Sequence, residues 1–143
     1  MKACSRIGYL ILVLGIVGLI LRRSIFGTGP VSIVLQVAAC LLMIWARLTF
    51  GRRSFHASAD PTEGGLVTAG PYKYVRHPIY AAVLLFGLAA VATHLTAINV
   101  ALGIAMLTGV GLRVAAEERL VLERYPEYAE YAARTKRFVP GVL

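Results

Sequence analysis

The chain has 143 residues, of which 58% are hydrophobic and 15% charged, and a formal net charge of +8. A soluble domain of this size keeps much of its surface wet and carries about 25% charged residues. The composition therefore excludes a soluble globule and points to a single membrane domain over residues 1–143. The basic residues flank apolar runs instead of covering one polar face, so no nucleic acid is expected as a partner. Cys4 and Cys40 have neither disulfide nor metal-site spacing. No metal is expected, and Cys40 reads as a small packing residue.

In chain order, Lys2 and Arg6 precede the apolar run Ile7–Leu21, which stops at Arg22-Arg23 without a small-residue cleavage site. It reads as an uncleaved first span, not a signal peptide. The breaker Gly27-Thr28-Gly29-Pro30 sets the second helix at residues 31–50. Residues 51–77 have loop composition, and a long polar connection in a compact protein is often functional. From Pro78 to Leu112 no residue carries a permanent charge. One helix of that length would reach about 50 Å, beyond a hydrocarbon core of about 30 Å. The stretch must fold back, with Thr93-His94-Leu95-Thr96 and then Asn99 at the turn, which gives short helices over about 78–92 and 96–115. In residues 116–143, Leu120, Val121, Tyr125, Tyr128 and Tyr131 recur near helical spacing among charged neighbours. That pattern predicts an amphipathic helix and tail at the headgroups.

The predicted fold class is all-α integral membrane, with about four transmembrane helices and a C-terminal cytoplasmic amphipathic helix. The last two spans form a short hairpin. Arg22 and Arg23 lie on one side, whereas Lys2, Arg6, Arg47, Arg52, Arg53, Lys73, Arg76 and the basic residues from Arg113 onward lie on the other. The positive-inside rule places that second side, with both termini and the 51–77 loop, in the cytoplasm. The small basic chain reads as a bacterial inner-membrane protein with membrane lipids as partners.

Three polar groupings fall at membrane boundaries on this side: Gly65–Tyr72, Arg76–Tyr80 and Arg113–Glu118. Each has a plain explanation alone. Arg76 suits a juxtamembrane anchor, Pro78 suits a first helical turn, His77 suits a structural hydrogen bond, and Arg113 with Glu117 suits an i,i+4 pair. Together they gather ionisable groups beside hydrocarbon, where such groups are costly and mark a site.

The ordered set is more specific. Gly70-Pro71-Tyr72, Arg76-His77-Pro78-Ile79-Tyr80, Arg113 with Glu117-Glu118, Tyr125-Pro126-Glu127-Tyr128-Ala129-Glu130-Tyr131 and Arg137-Phe138-Val139-Pro140 follow one another over roughly residues 64–140. This resembles the C-terminal half of the isoprenylcysteine carboxyl methyltransferase family and its phospholipid methyltransferase relatives. The resemblance implies methyl transfer from S-adenosylmethionine without a soluble nucleotide fold. It also implies that Gly64, Gly65, Leu66, Val67 and Tyr72 line the cofactor pocket, and that His77, Pro78, Ile79 and Tyr80 contact the cofactor. By the same resemblance Glu117 binds the cofactor amino group, and Arg113 faces the methyl acceptor as the catalytic residue. Eukaryotic members carry a polar residue, often histidine, where Gly64 stands here.

The acceptor implied is lipophilic, prenylcysteine-like or a phospholipid. A carboxylate needs no general base, because a carboxyl group of pKa near ~4 is already ionised, and Arg113 would hold it by a bidentate contact. An amine acceptor would need a base, for which Glu118 or His77 would serve. A thiol would react as its thiolate. The alternatives are thus a phospholipid amine or thiol methyltransferase, a non-catalytic membrane scaffold that keeps the fold, and a nicotinamide-dependent membrane reductase, for which the chain leaves little room.

Overall fold

The computed structural model describes residues 2–51 and 65–141, and among these the protein is all-helical. Five α-helices run α1 (Lys2–Leu21), α2 (Pro30–Phe50), α3 (Pro78–Thr93), α4 (Ala97–Arg124) and α5 (Tyr128–Arg134). A 3₁₀ turn at Gly70–Lys73 sits between α2 and α3. Three helices, α1, α2 and α4, are long and apolar enough to cross a membrane. The fourth predicted span, α3, has 16 residues, about 24 Å at 1.5 Å per residue.

The helix ends have local causes. Pro30 opens α2 at a position where its missing N–H costs nothing, and the Thr96 hydroxyl caps α4 by accepting from the Asn99 backbone N–H at 3.2 Å. The turn between α3 and α4 thus falls where the sequence places it. Three boundaries differ from expectation. Helix α1 starts at Lys2, five residues before the apolar run, because Lys2 to Arg6 continue the helix toward the polar boundary. The second arm of the hairpin is not short: α4 has 28 residues, about 42 Å. Residues 116–124 therefore belong to α4 and not to a separate C-terminal helix, which is only the seven-residue α5.

Helix α1 packs along α4, and α2 packs along α3, while α3 and α4 touch each other far less. The α1–α4 crossing depends on small residues. A Cβ on Gly109 would stand 2.7 Å from the Gly8 carbonyl oxygen and 2.7 Å from the Leu12 backbone nitrogen. Only hydrogen fits between the two backbones, as at close helix crossings within lipid. Leu12, Leu19, Leu84, Val91, Met106, Val110 and Val114 form the core between the helices. Large apolar side chains such as Leu14, Leu21, Val34, Leu41 and Leu48 point outward, as suits helices bathed in hydrocarbon. Cys40, expected to pack inside, is exposed on α2, where a bilayer-facing helix tolerates a small apolar residue.

Polar side chains close one end of the bundle. The Arg22 Nε–H donates to the Asn99 side-chain oxygen at 2.7 Å, and the Asn99 amide donates to the His94 carbonyl at 2.7 Å. Gln36 ties the connection before α2 to α3: it accepts from the Gly27 N–H at 3.0 Å and donates to the carbonyls of Ile25 and Phe86 at 2.9 and 3.1 Å. Arg22 and Asn99 set the end of α1 beside the α3–α4 turn, so the other polar groups gather at the opposite end.

Candidate active site

At that opposite end the 3₁₀ turn, the start of α3, the last turns of α4 and the stretch after α5 converge. Gly70 has φ +55, a backbone conformation that favours glycine. A Cβ there would stand 2.5 Å from Thr49 Oγ1 and 3.2 Å from the Trp45 indole nitrogen. Glycine therefore lets the turn lie directly on the end of α2, which buries Pro71 and Tyr72. The Tyr72 ring meets Phe50 at 5.4 Å, and the Tyr131 hydroxyl donates to the Tyr72 carbonyl at 2.6 Å.

Two carboxylates on α4 organise the site. Arg113 is buried, with its side chain 5% exposed. Its Nε–H donates to the Tyr80 hydroxyl, and that hydroxyl donates to Glu117 Oε1 at 2.5 Å. Arg113 Nε also lies 3.2 Å from Glu117 Oε1. The i,i+4 spacing on α4 and the placement of Tyr80 in the first turn of α3 make this relay.

Glu118 faces the other way. It accepts from Arg76 Nε at 3.0 Å and from Arg137 Nη2 at 2.8 Å, and lies 3.2 Å from His77 Nε2. Arg76 also donates to the carbonyls of Ala132 (at 2.8 Å) and Thr135 at the end of α5. That position favours a cation. The backbone N–H groups of Arg76 and His77 donate to the carbonyls of Lys136 and Arg137 at 2.7 and 3.0 Å, and a parallel bridge joins Val75 to Lys136. Arg76 is therefore a clamp between α4, α5 and the following strap, which explains why an arginine and not a lysine stands there.

His77 lies between the two carboxylates, its Nδ1 4.0 Å from Glu117 Oε2. Its ring stands 5.9 Å from Tyr80 and 6.2 Å from Phe138. Pro78 is fully buried as the first residue of α3, and Ile79 is half-buried beside it. Gly65, Leu66 and Val67 are half-buried and outside any helix, leading into the Tyr72 turn. Gly64 lies outside the described residues.

The Tyr72 hydroxyl is buried and has no hydrogen-bond partner among the described residues. Burial, and more weakly Tyr131, pushes its pKa above the ordinary phenol value. It is a committed donor without an acceptor, and a buried group in that state costs about 1–3 kcal/mol. An orphaned donor, a Glu117 carboxylate oriented by Tyr80, and the rings of Tyr72, His77, Tyr80 and Phe138 fit a ligand with a cationic amine, a hydrogen-bond acceptor and a planar heterocycle. S-adenosylmethionine has all three.

The structure brings Tyr80, His77, Arg113 and Glu117 together, as the sequence groups them, and adds residues the sequence does not mark. Tyr9 on α1 lies over the Arg113 guanidinium at 5.1 Å, and no motif marks it. Arg137 and Phe138 stood in a motif without a role, yet one holds Glu118 and the other packs on His77 and the core.

The Isoprenylcysteine carboxyl methyltransferase (ICMT) family matches residues 31–123, more than half of the chain. The chain belongs to this family and is an integral membrane protein. It is similar to the cobalt-zinc-cadmium resistance protein CzcN of Cupriavidus metallidurans, with 40% identity over 77 residues, 52% of this chain and 35% of the relative. It is also similar to the nickel-cobalt-cadmium resistance protein NccN of Alcaligenes xylosoxydans xylosoxydans, with 38% identity over 78 residues, 52% of this chain and 36% of the relative. The matched stretch thus spans about a third of the length of these curated relatives. No solved structure matches the chain.

Proposed function

We propose that the chain transfers a methyl group from S-adenosylmethionine to a lipophilic acceptor at the cytoplasmic membrane face, and that the acceptor group is a carboxylate. The observation that carries this reading is the relay from Arg113 through Tyr80 to Glu117, set beside the unpartnered Tyr72 hydroxyl. Family membership supports it independently.

The cofactor supplies a methyl group made electrophilic by its sulfonium, so the protein's work is to position the partners and exclude water. Glu117 holds the amino group, with the Tyr80 hydroxyl fixing the carboxylate's orientation. Tyr72 donates to an acceptor atom on the cofactor, and residues 65–67 with His77, Pro78 and Ile79 complete the wall. Arg113, kept in place by Tyr80 and Glu117, presents its guanidinium to the acceptor carboxylate by a bidentate contact. No base is required, because a carboxylate is ionised at neutral pH. Glu118 is taken up by Arg76, Arg137 and His77, so its part is to hold the strap closed.

A second reading, a non-catalytic membrane subunit that keeps the fold, draws on the names of the two relatives, which state a metal resistance and no reaction. Calorimetric titration of S-adenosylmethionine into detergent-purified protein separates the two. Saturable binding that is lost in Glu117→Gln supports the methyltransferase. No binding to well-folded wild type refutes it and leaves the scaffold.

A further inference from the structure

Helix α1 lies outside the stretch that matches the family, yet it reaches the centre of the site. Gly8 lets α1 approach so closely that a Cβ there would stand 3.0 Å from the Arg113 backbone nitrogen. One residue on, the Tyr9 ring lies over the Arg113 guanidinium at 5.1 Å, while Tyr80 of α3 stands 5.8 Å from the same group. Rings from two different helices thus lie close to the guanidinium. Arg113 and Tyr9 differ in exposure: Arg113 is 4% exposed, whereas Tyr9, at the edge of the α1 face that packs on α4, is 43% exposed. Tyr9 thus lies between a buried cation and the bundle surface. One turn before it on the same side of α1 is Ser5, fully buried and with no hydrogen-bond partner for its hydroxyl among the described residues.

We propose that Tyr9 is the acceptor gate and positioning residue of this site. Its ring shields Arg113 from the bilayer and holds the guanidinium by a cation–π contact. A lipophilic anion arriving from the bilayer reaches Arg113 past this ring. The nature of that anion rests on the methyltransferase reading above; the shielding of Arg113 does not.

The test uses the full chain in detergent as wild type, Tyr9→Phe and Tyr9→Ala, with Tyr9→Leu as the bulkier substitute where Tyr9→Ala does not fold. The first measurement is the rate of phenylglyoxal modification at Arg113, followed by mass spectrometry. Wild type and Tyr9→Phe are expected to be slow, and the variant without the ring faster by on the order of tenfold. Equal rates in all variants overturn the proposal. The second measurement is methyl transfer to dodecylthioacetate, a lipophilic thioether carboxylate. Loss of the ring is expected to raise KM on the order of tenfold with donor affinity unchanged, and Tyr9→Phe to restore it. A fall in donor affinity that Phe does not rescue gives Tyr9 a merely structural role and overturns the positioning claim. Absence of turnover in wild type counts against the carboxylate methyltransferase alone, because the modification rates still decide whether Tyr9 guards Arg113.

Discussion

Removing the Tyr72 hydroxyl separates what it does for the fold from what it does for a ligand. Burying that group without a partner costs about 1–3 kcal/mol, so Tyr72→Phe is expected to keep or raise the melting temperature of ligand-free protein. The same variant is expected to bind S-adenosylmethionine several-fold more weakly in calorimetry. A lower melting temperature with unchanged affinity would refute the assignment. Arg113 demands a gentler change, since deleting one member of a buried ion pair costs about 3–5 kcal/mol. Arg113→Lys keeps a cation beside Glu117 but loses the planar fork. We expect donor affinity to persist while methyl transfer falls at least about tenfold, measured with radiolabelled donor. Full activity would remove Arg113 from the acceptor site.

At the scale of elements, the α1–α4 crossing is the most sensitive contact. Gly109→Val would drive a side chain into the Gly8 carbonyl and the Leu12 backbone, and overpacking of that kind costs about 1–3 kcal/mol or more. Gly111→Ala, two residues on, meets nothing within 4 Å. It is expected to be neutral or slightly stabilising in a helix. Thermal denaturation in detergent compares the two, and equal effects would refute the crossing. The elements also show what a sequence can carry. The start of α2 and the α3–α4 turn were legible because Gly27–Pro30 and the Thr93–Thr96 cluster are local signals with mechanisms. The end of α4 was not legible. Charges from Arg113 onward mimic a boundary, but Ala115 to Arg124 are mostly strong helix formers, and no breaker comes before Pro126. The site was legible where spacing carried it, in Arg113 with Glu117 and His77 with Tyr80. It was illegible in Tyr9, whose partner comes from the far end of the chain and whose only sign is an aromatic in an apolar run.

For the whole molecule, the Arg22–Asn99 bond ties the end of α1 to the α3–α4 turn, which puts the two polar ends of the bundle on opposite sides. We therefore expect reporters placed after Leu21 and after Leu95 to read the same side of the membrane, and one at Leu143 to read the other. A Leu95 reporter on the Leu143 side would mean that the 16-residue α3 does not cross. The close seat of the Tyr72 turn on α2 has an optical consequence. Trp45 is the chain's single tryptophan, and its indole nitrogen lies against Gly70, where that turn begins. Its emission is an intrinsic report on the turn. Any small molecule or lipid that shifts the turn should change the colour or intensity of that light, so candidate acceptors can be screened without a label and before their chemistry is known.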